Sequence, residues 1–121
     1  MVAGTPQSCK AKGRKLQQEI RDILISELGI DPLDIESTAM GQSGCDLYLS
    51  KAARSKFPFG VEAKFRESIY IWQAMKQAED NAAKEGLIPL LVFRRSRSPT
   101  YVTLRMNDFL NLVKNGRCPI W

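Results

Sequence analysis

The chain contains no histidine. That absence excludes Ser-His-Asp and Cys-His hydrolases, histidine-metal nucleases, His-pair ribonucleases and Cys/His zinc fingers, all of which need an imidazole as base or ligand. Cysteine is scarce too. Cys9, Cys45 and Cys118 are odd in number and widely spaced, a pattern of reduced thiols in a cytoplasmic setting and not of a disulfide framework. No apolar run approaches a membrane span. Residues 1–8 lack the basic start and apolar centre of a signal sequence. Residues 1–9 therefore read as a flexible tail and residues 10–121 as a single domain. Acidic residues are also in the minority, 13 against 18 Lys and Arg, which gives a net charge of +5. A polyanionic partner fits that balance. A hydrolase made from this residue set works through carboxylates, lysine and a metal.

What is present is concentrated between Gly41 and Arg66, GQSGCDLYLSKAARSKFPFGVEAKFR. Cys45 to Leu49 reads as a short strand. Gly60 to Phe65 reads as a second, in which Val61, Ala63 and Phe65 alternate with Glu62, Lys64 and Arg66. Side chains alternate between the faces of a strand, so Glu62 and Lys64 lie side by side while their apolar neighbours enter the core. If the two strands pair antiparallel through the connection from Ser50 to Pro58, Asp46 comes near Glu62. Two carboxylates about 4 Å apart repel by about 4 kcal/mol at an effective dielectric near 20, which calls for a cation or a shared proton. Oxygen ligands suit Mg²⁺ or Mn²⁺, which keep waters and accept phosphate oxygens. Such a cation would polarise a phosphoryl oxygen and supply hydroxide, with Lys64 holding the attacking water or offsetting transition-state charge. The same spacing also suits a solvated strand face carrying an ion pair.

Gly44-Cys45-Asp46, a gap of 15 residues, then Glu62-Ala63-Lys64 resembles the motif of the PD-(D/E)XK nucleases, with Cys45 where that motif often has Pro. Lys12-Gly13-Arg14 on a helix, Ser43 before the Asp, FPFGVEAK, a Gln-bearing helix and IPLLVFRR extend the resemblance to small archaeal and phage Holliday junction resolvase-like endonucleases. The resemblance implies a restriction-endonuclease-like α/β fold, a mixed sheet of four or five strands flanked by helices, with the site at one sheet edge. It implies Asp46, Glu62 and the backbone carbonyl of Ala63 as metal ligands and Lys64 as a catalytic residue. In these resolvases a first-helix Glu joins the metal site. Here Gln17 stands at that place and Glu19 lies about 200° further around the helix. The pattern does not choose between them; Gln17 is preferred as a neutral ligand or water-holder.

Along the chain, Lys10 to Leu28 reads as a helix with Leu16, Ile20, Ile23, Leu24 and Leu28 as its apolar stripe. Lys12, Arg14 and Lys15 at its amino end oppose the helix dipole, which phosphate binding would explain, as would a frayed, solvated end. Ile35 to Ala39 is a short strand. Gln42 and Ser43 lie in a Gly-flanked turn, where they could donate to a phosphate, and Lys51 and Arg54 follow in a connecting loop. Ser68 to Lys84 is a helix with Ile71, Met75, Ala78 and Ala82 inward. Gln73 and Gln77 share another face with Asp80 or Asn81, and Gln77 is the choice for the site. Ile88 to Phe93 is a buried strand and Tyr101 to Leu104 its partner, joined by a turn that offers Arg94, Arg95 and Arg97 to DNA along with Arg66. Asn107 caps a last helix to Lys114 with Phe109, Leu110 and Val113 inward.

The expected function is a Mg²⁺- or Mn²⁺-dependent endodeoxyribonuclease of branched DNA, resembling a Holliday junction resolvase. It would act in the cytoplasm of a bacterial, archaeal or phage-infected cell. Alternatives are a PD-(D/E)XK nuclease of other DNA, for nicking or phage DNA processing, and an inactive DNA-binding module on the same fold. Symmetric cutting of two strands needs two sites, hence a homodimer, with Trp72, Phe109, Ile120 and Trp121 as its candidate apolar patch.

Overall fold

The computed structural model describes residues 6–39 and 44–115, with side chains from Lys10 onward. Helix α1 (Pro6–Leu28) starts four residues before the expected Lys10. Lys12, Arg14 and Lys15 therefore lie beyond the first turn, where the dipole effect has decayed, and their side chains do not oppose it. Gly29 ends the helix at φ 66°, a left-handed conformation that glycine adopts without strain. Leu16, Ile20 and Leu24 are buried, while Ile23 and Leu28, expected in the stripe, are exposed.

After a single 3-10 turn (Pro32–Asp34), β1 (Ile35–Ser37) pairs antiparallel with β2 (Leu47–Leu49). The connection expected as a loop is helical: Ser50 Oγ accepts the Ala53 amide and caps α2 (Lys51–Lys56). Next come β3 (Phe59–Phe65), the crossover helix α3 (Ile71–Glu85), β4 (Ile88–Arg94), β5 (Tyr101–Thr103) and α4 (Met106–Lys114). β3 and β4 are parallel, and β4 and β5 antiparallel. The five strands, flanked by helices, match the expected α/β fold and form ladders of two and three strands. β2 and β3 do not form the antiparallel ladder expected of them. β2 is only three residues long and already bonded to β1, and α2 fills the connection. One backbone bond, Asp46 N–H to Val61 O at 2.9 Å, ties the two ladders together.

Leu16, Ile20 and Leu24 of α1 pack with Val61, Ala63, Leu90 and Val92 on one face of the larger sheet. The other face is covered by Ala74, Ala78 and Ala82 of α3. The approach there is close: a Cβ on Gly60 would lie 2.7 Å from Cys45 Sγ and 2.9 Å from Ala82 Cβ. Both faces of β3 are thus covered, and the solvated-face alternative does not hold. α4 departs from expectation as well. It is capped at Arg105, and Phe109, Leu110 and Val113 are exposed, Phe109 by 49%. Among the described residues nothing packs over α4 closely enough to bury any of its side chains. Residues 116–121, with Ile120 and Trp121, lie outside the described residues. No described helix is long and apolar enough to cross a membrane.

Candidate active site

β3 is the free edge of the three-stranded ladder, and Asp46 sits against that edge. Its N–H donates to Val61 O, and its Oδ2 accepts the Ala63 N–H at 2.7 Å. The carboxylate stands where the carbonyl of a neighbouring strand would be. Within a strand the N–H and C=O of one residue point to the same side. The Ala63 carbonyl therefore faces the edge that Asp46 occupies, consistent with its expected place beside the carboxylates.

Glu62, the preceding residue on β3, points under α3 and is 4% exposed. Its Oε2 lies 3.5 Å from Lys64 Nζ, and its Oε1 accepts from Asn81 Nδ2 at 3.2 Å. Burial raises the pKa of Glu62, as does the charge of Asp46, against the opposing influence of Lys64 and Asn81. Burial also raises Asp46, with the Ala63 amide and Lys64 pulling the other way. Two carboxylates that both gain from neutralisation suit a cation or a shared proton. The available donors are oxygens, which favour a hard divalent ion. Among the described residues no group of three His, Cys, Asp or Glu side chains converges, so two carboxylates and a main-chain oxygen are what the site offers. Cys45 is buried with its Sγ packed against Gly60, and burial and the nearby Glu85 push its thiol up to about 12.

Sequence reasoning favours Gln77 and misses Asn81. Gln77 is exposed and lines a cleft of about 800 Å³ with Lys64 and Asn81. The available signal is spacing, since Asn81 follows Gln77 by one turn on the same face. Gln17 is buried and its Oε1 accepts from Ser37 Oγ at 2.7 Å, next to the β1–β2 ladder that leads to Asp46. Glu19 instead pairs with Arg94 at 3.5 Å. Of the two, Gln17 is the one turned inward.

The basic residues divide. Arg54, expected at DNA, is engaged within the protein: Nε donates to Leu49 O, Nη1 to Glu85 O and Nη2 to Glu85 Oε1. Since Glu85 Oε2 also accepts the Cys45 amide, Arg54 holds α2, β2 and the end of α3 together. Arg94 also turns inward, with its guanidinium 5.2 Å from the Phe65 ring centroid and close to Glu19. Arg95 and Arg97 lie on the turn after β4, Arg95 with its side chain exposed. Glu67 holds that turn by accepting the N–H and Oγ of Ser96, both at 2.9 Å, bonds that lower the Glu67 pKa. Lys12 approaches the same Phe65 ring at 5.5 Å. Arg14, Lys15, Lys51 and Arg66 are exposed, and Arg66 lines the cleft beside Lys64. Gln42 and Ser43 lie outside the described residues.

Residues 8–119 match the family model described as "Phage putative PDDEXK endonuclease". No curated protein and no solved structure gives a significant match. The match covers nearly the whole chain, and the protein belongs to this phage family of PDDEXK endonucleases.

Proposed function

We propose that the protein is a divalent-metal-dependent endodeoxyribonuclease of branched DNA, acting as a Holliday junction resolvase-like homodimer in a phage-infected cell. The observation that supports this most is that Asp46, just before β2, is bonded to the Ala63 amide between Glu62 and Lys64, with Glu62 itself 3.5 Å from Lys64. Asp46, Glu62 and the Ala63 carbonyl would hold Mg²⁺ or Mn²⁺. When bound, that cation supplies Lewis-acid stabilisation of phosphoryl charge and lowers the pKa of a water. Asp46 is fixed by the Ala63 amide, so its other oxygen keeps its direction. Asn81 holds one oxygen of Glu62 and leaves the second facing Lys64. Lys64 brings a positive charge to the place where a phosphodiester gains negative charge in the transition state, and its ammonium can hold the attacking water. Symmetric cleavage of a junction needs two such sites, hence two copies of the chain.

The test compares four-way junction, duplex and single-stranded DNA with Mg²⁺, with Mn²⁺ and with EDTA, with analytical ultracentrifugation in parallel. Cleavage of the junction by a dimer, abolished by EDTA, is expected. A species that is monomeric both free and on the junction would reject the resolvase reading and leave the metal-nuclease chemistry standing. Cleavage of no DNA under any of these conditions would reject both.

A further inference from the structure

Two large aromatic side chains at the start of α3 have no structural use that the fold reveals. Trp72 is 87% exposed and Tyr70 82%, although Trp is a residue that proteins usually bury. Tyr70 occupies the N-cap of α3 without making a side-chain cap bond, where Ser, Thr, Asp or Asn would stabilise the helix. Both line one open pocket of about 530 Å³. Tyr70 and Gln73 are shared between that pocket and the cleft beside Lys64 and Asn81. From Tyr70 to Asn81 the chain advances eleven residues, about 16 Å at 1.5 Å per residue, and the two positions share one face of α3, while Trp72 lines the neighbouring pocket beside Tyr70. That is about five stacked nucleotides at 3.4 Å each. Lys64, Arg66, Lys76 and Lys84 face the cleft against one acid, Asp80, so the surface between the rings and Glu62 favours a phosphate chain.

We infer that Tyr70 and Trp72 form a stacking platform for unpaired bases at the mouth of the cleft leading to Glu62, so the preferred substrate carries unpaired nucleotides beside the scissile bond. The inference rests on the nuclease reading and narrows its substrate class. Bases paired inside a duplex cannot present their faces to a side chain, whereas splayed or single-stranded bases can. Rings next to a basic groove are the means by which single strands are held with little sequence preference.

The test measures binding of labelled single-stranded, Y-shaped and duplex oligonucleotides by fluorescence anisotropy, with Ca²⁺ in place of Mg²⁺. Tyr70→Ala and Trp72→Ala should each weaken binding of the single-stranded and Y-shaped DNA by about fivefold or more, with less than about a twofold change on duplex. Trp72→Phe should retain most of the affinity. In a Trp121→Phe background the remaining Trp72 should be quenched by oligo(dT). Equal losses on duplex and single strand, no loss on either, or no DNA binding by the wild type would overturn the platform. So would a wild-type dimer that Trp72→Ala converts to monomer without loss of single-strand affinity, since the ring would then serve self-association. The two readings fail separately. Quenching and single-strand preference without Mg²⁺-dependent cleavage would sink the nuclease and keep the platform, while cleavage indifferent to both substitutions would sink the platform alone.

Discussion

The main-chain amide of Ala63 donates to Asp46 Oδ2 at 2.7 Å, so the first carboxylate of the site is held by the strand that carries the second. Asp46 cannot be moved without releasing an edge group of β3, and its orientation is set before any ligand arrives.

Asp46→Asn and Glu62→Gln should each lower kcat by about a hundredfold or more while circular dichroism and DNA affinity stay close to wild type. Lys64→Ala should do the same. Near-normal cleavage by either carboxylate variant would reject the site.

Cleavage should fall with decreasing pH along a limb placed above the ordinary carboxylate range of about 4, because burial raises both Asp46 and Glu62. Protons and cation compete for the same oxygens. Raising the Mg²⁺ concentration should move the limb to lower pH, and a limb indifferent to Mg²⁺ would separate these groups from metal binding.

The same shifts have a stability consequence. A carboxyl whose pKa is raised by folding keeps its proton where the unfolded chain has lost it, so the contribution of these groups to metal-free stability is greatest at low pH. It declines as pH rises from the unfolded pKa through the folded one. At neutral pH in EDTA, Glu62→Gln should therefore raise Tm, because the amide removes a buried charge and can still accept from Asn81. Divalent cation should raise the Tm of the wild type and much less that of the variant. A lowered Tm in EDTA would contradict the burial of an ionised Glu62.

Asn81→Ala should reduce kcat by about 10- to 100-fold, as loss of a group orienting a ligand does, and Asn81→Asp further, by placing a third carboxylate at Glu62. The kcat and metal-affinity measurements decide whether the amide acts through Glu62.

Arg54→Ala should destabilise by about 1–3 kcal/mol in urea titrations, because three acceptors lose their donors at once. It should leave the salt dependence of DNA binding unchanged. Arg95→Ala with Arg97→Ala should do the reverse: stability within about 0.5 kcal/mol of wild type, and a log-log salt slope flatter by up to about 0.9 for each phosphate no longer neutralised.

The sequence by itself determined the chemistry available to this protein. With histidine absent and acids outnumbered, composition limited a hydrolase to carboxylates, lysine and metal and suited a polyanionic partner, and the Asp46–Glu62–Lys64 spacing carried the family resemblance that the match over residues 8–119 established. Local patterns also located α1, α3, α4 and the apolar β4, because periodicity and stop signals act within a few residues of chain. Tertiary structure decided which side chains meet. Asn81 reaches Glu62 because the small residues Ala74, Ala78, Ala82 and Gly60 let α3 lie close on β3, a distance no single segment encodes. Arg54 and Lys51 looked alike in sequence; only the arrival of Glu85 from 31 residues away turned Arg54 inward. The carboxylates converge without the expected strand ladder, because one backbone bond and one side-chain bond at a free sheet edge take its place. Hydrogen-bond partners so distant in the chain are chosen by packing, and packing is a property of the whole fold.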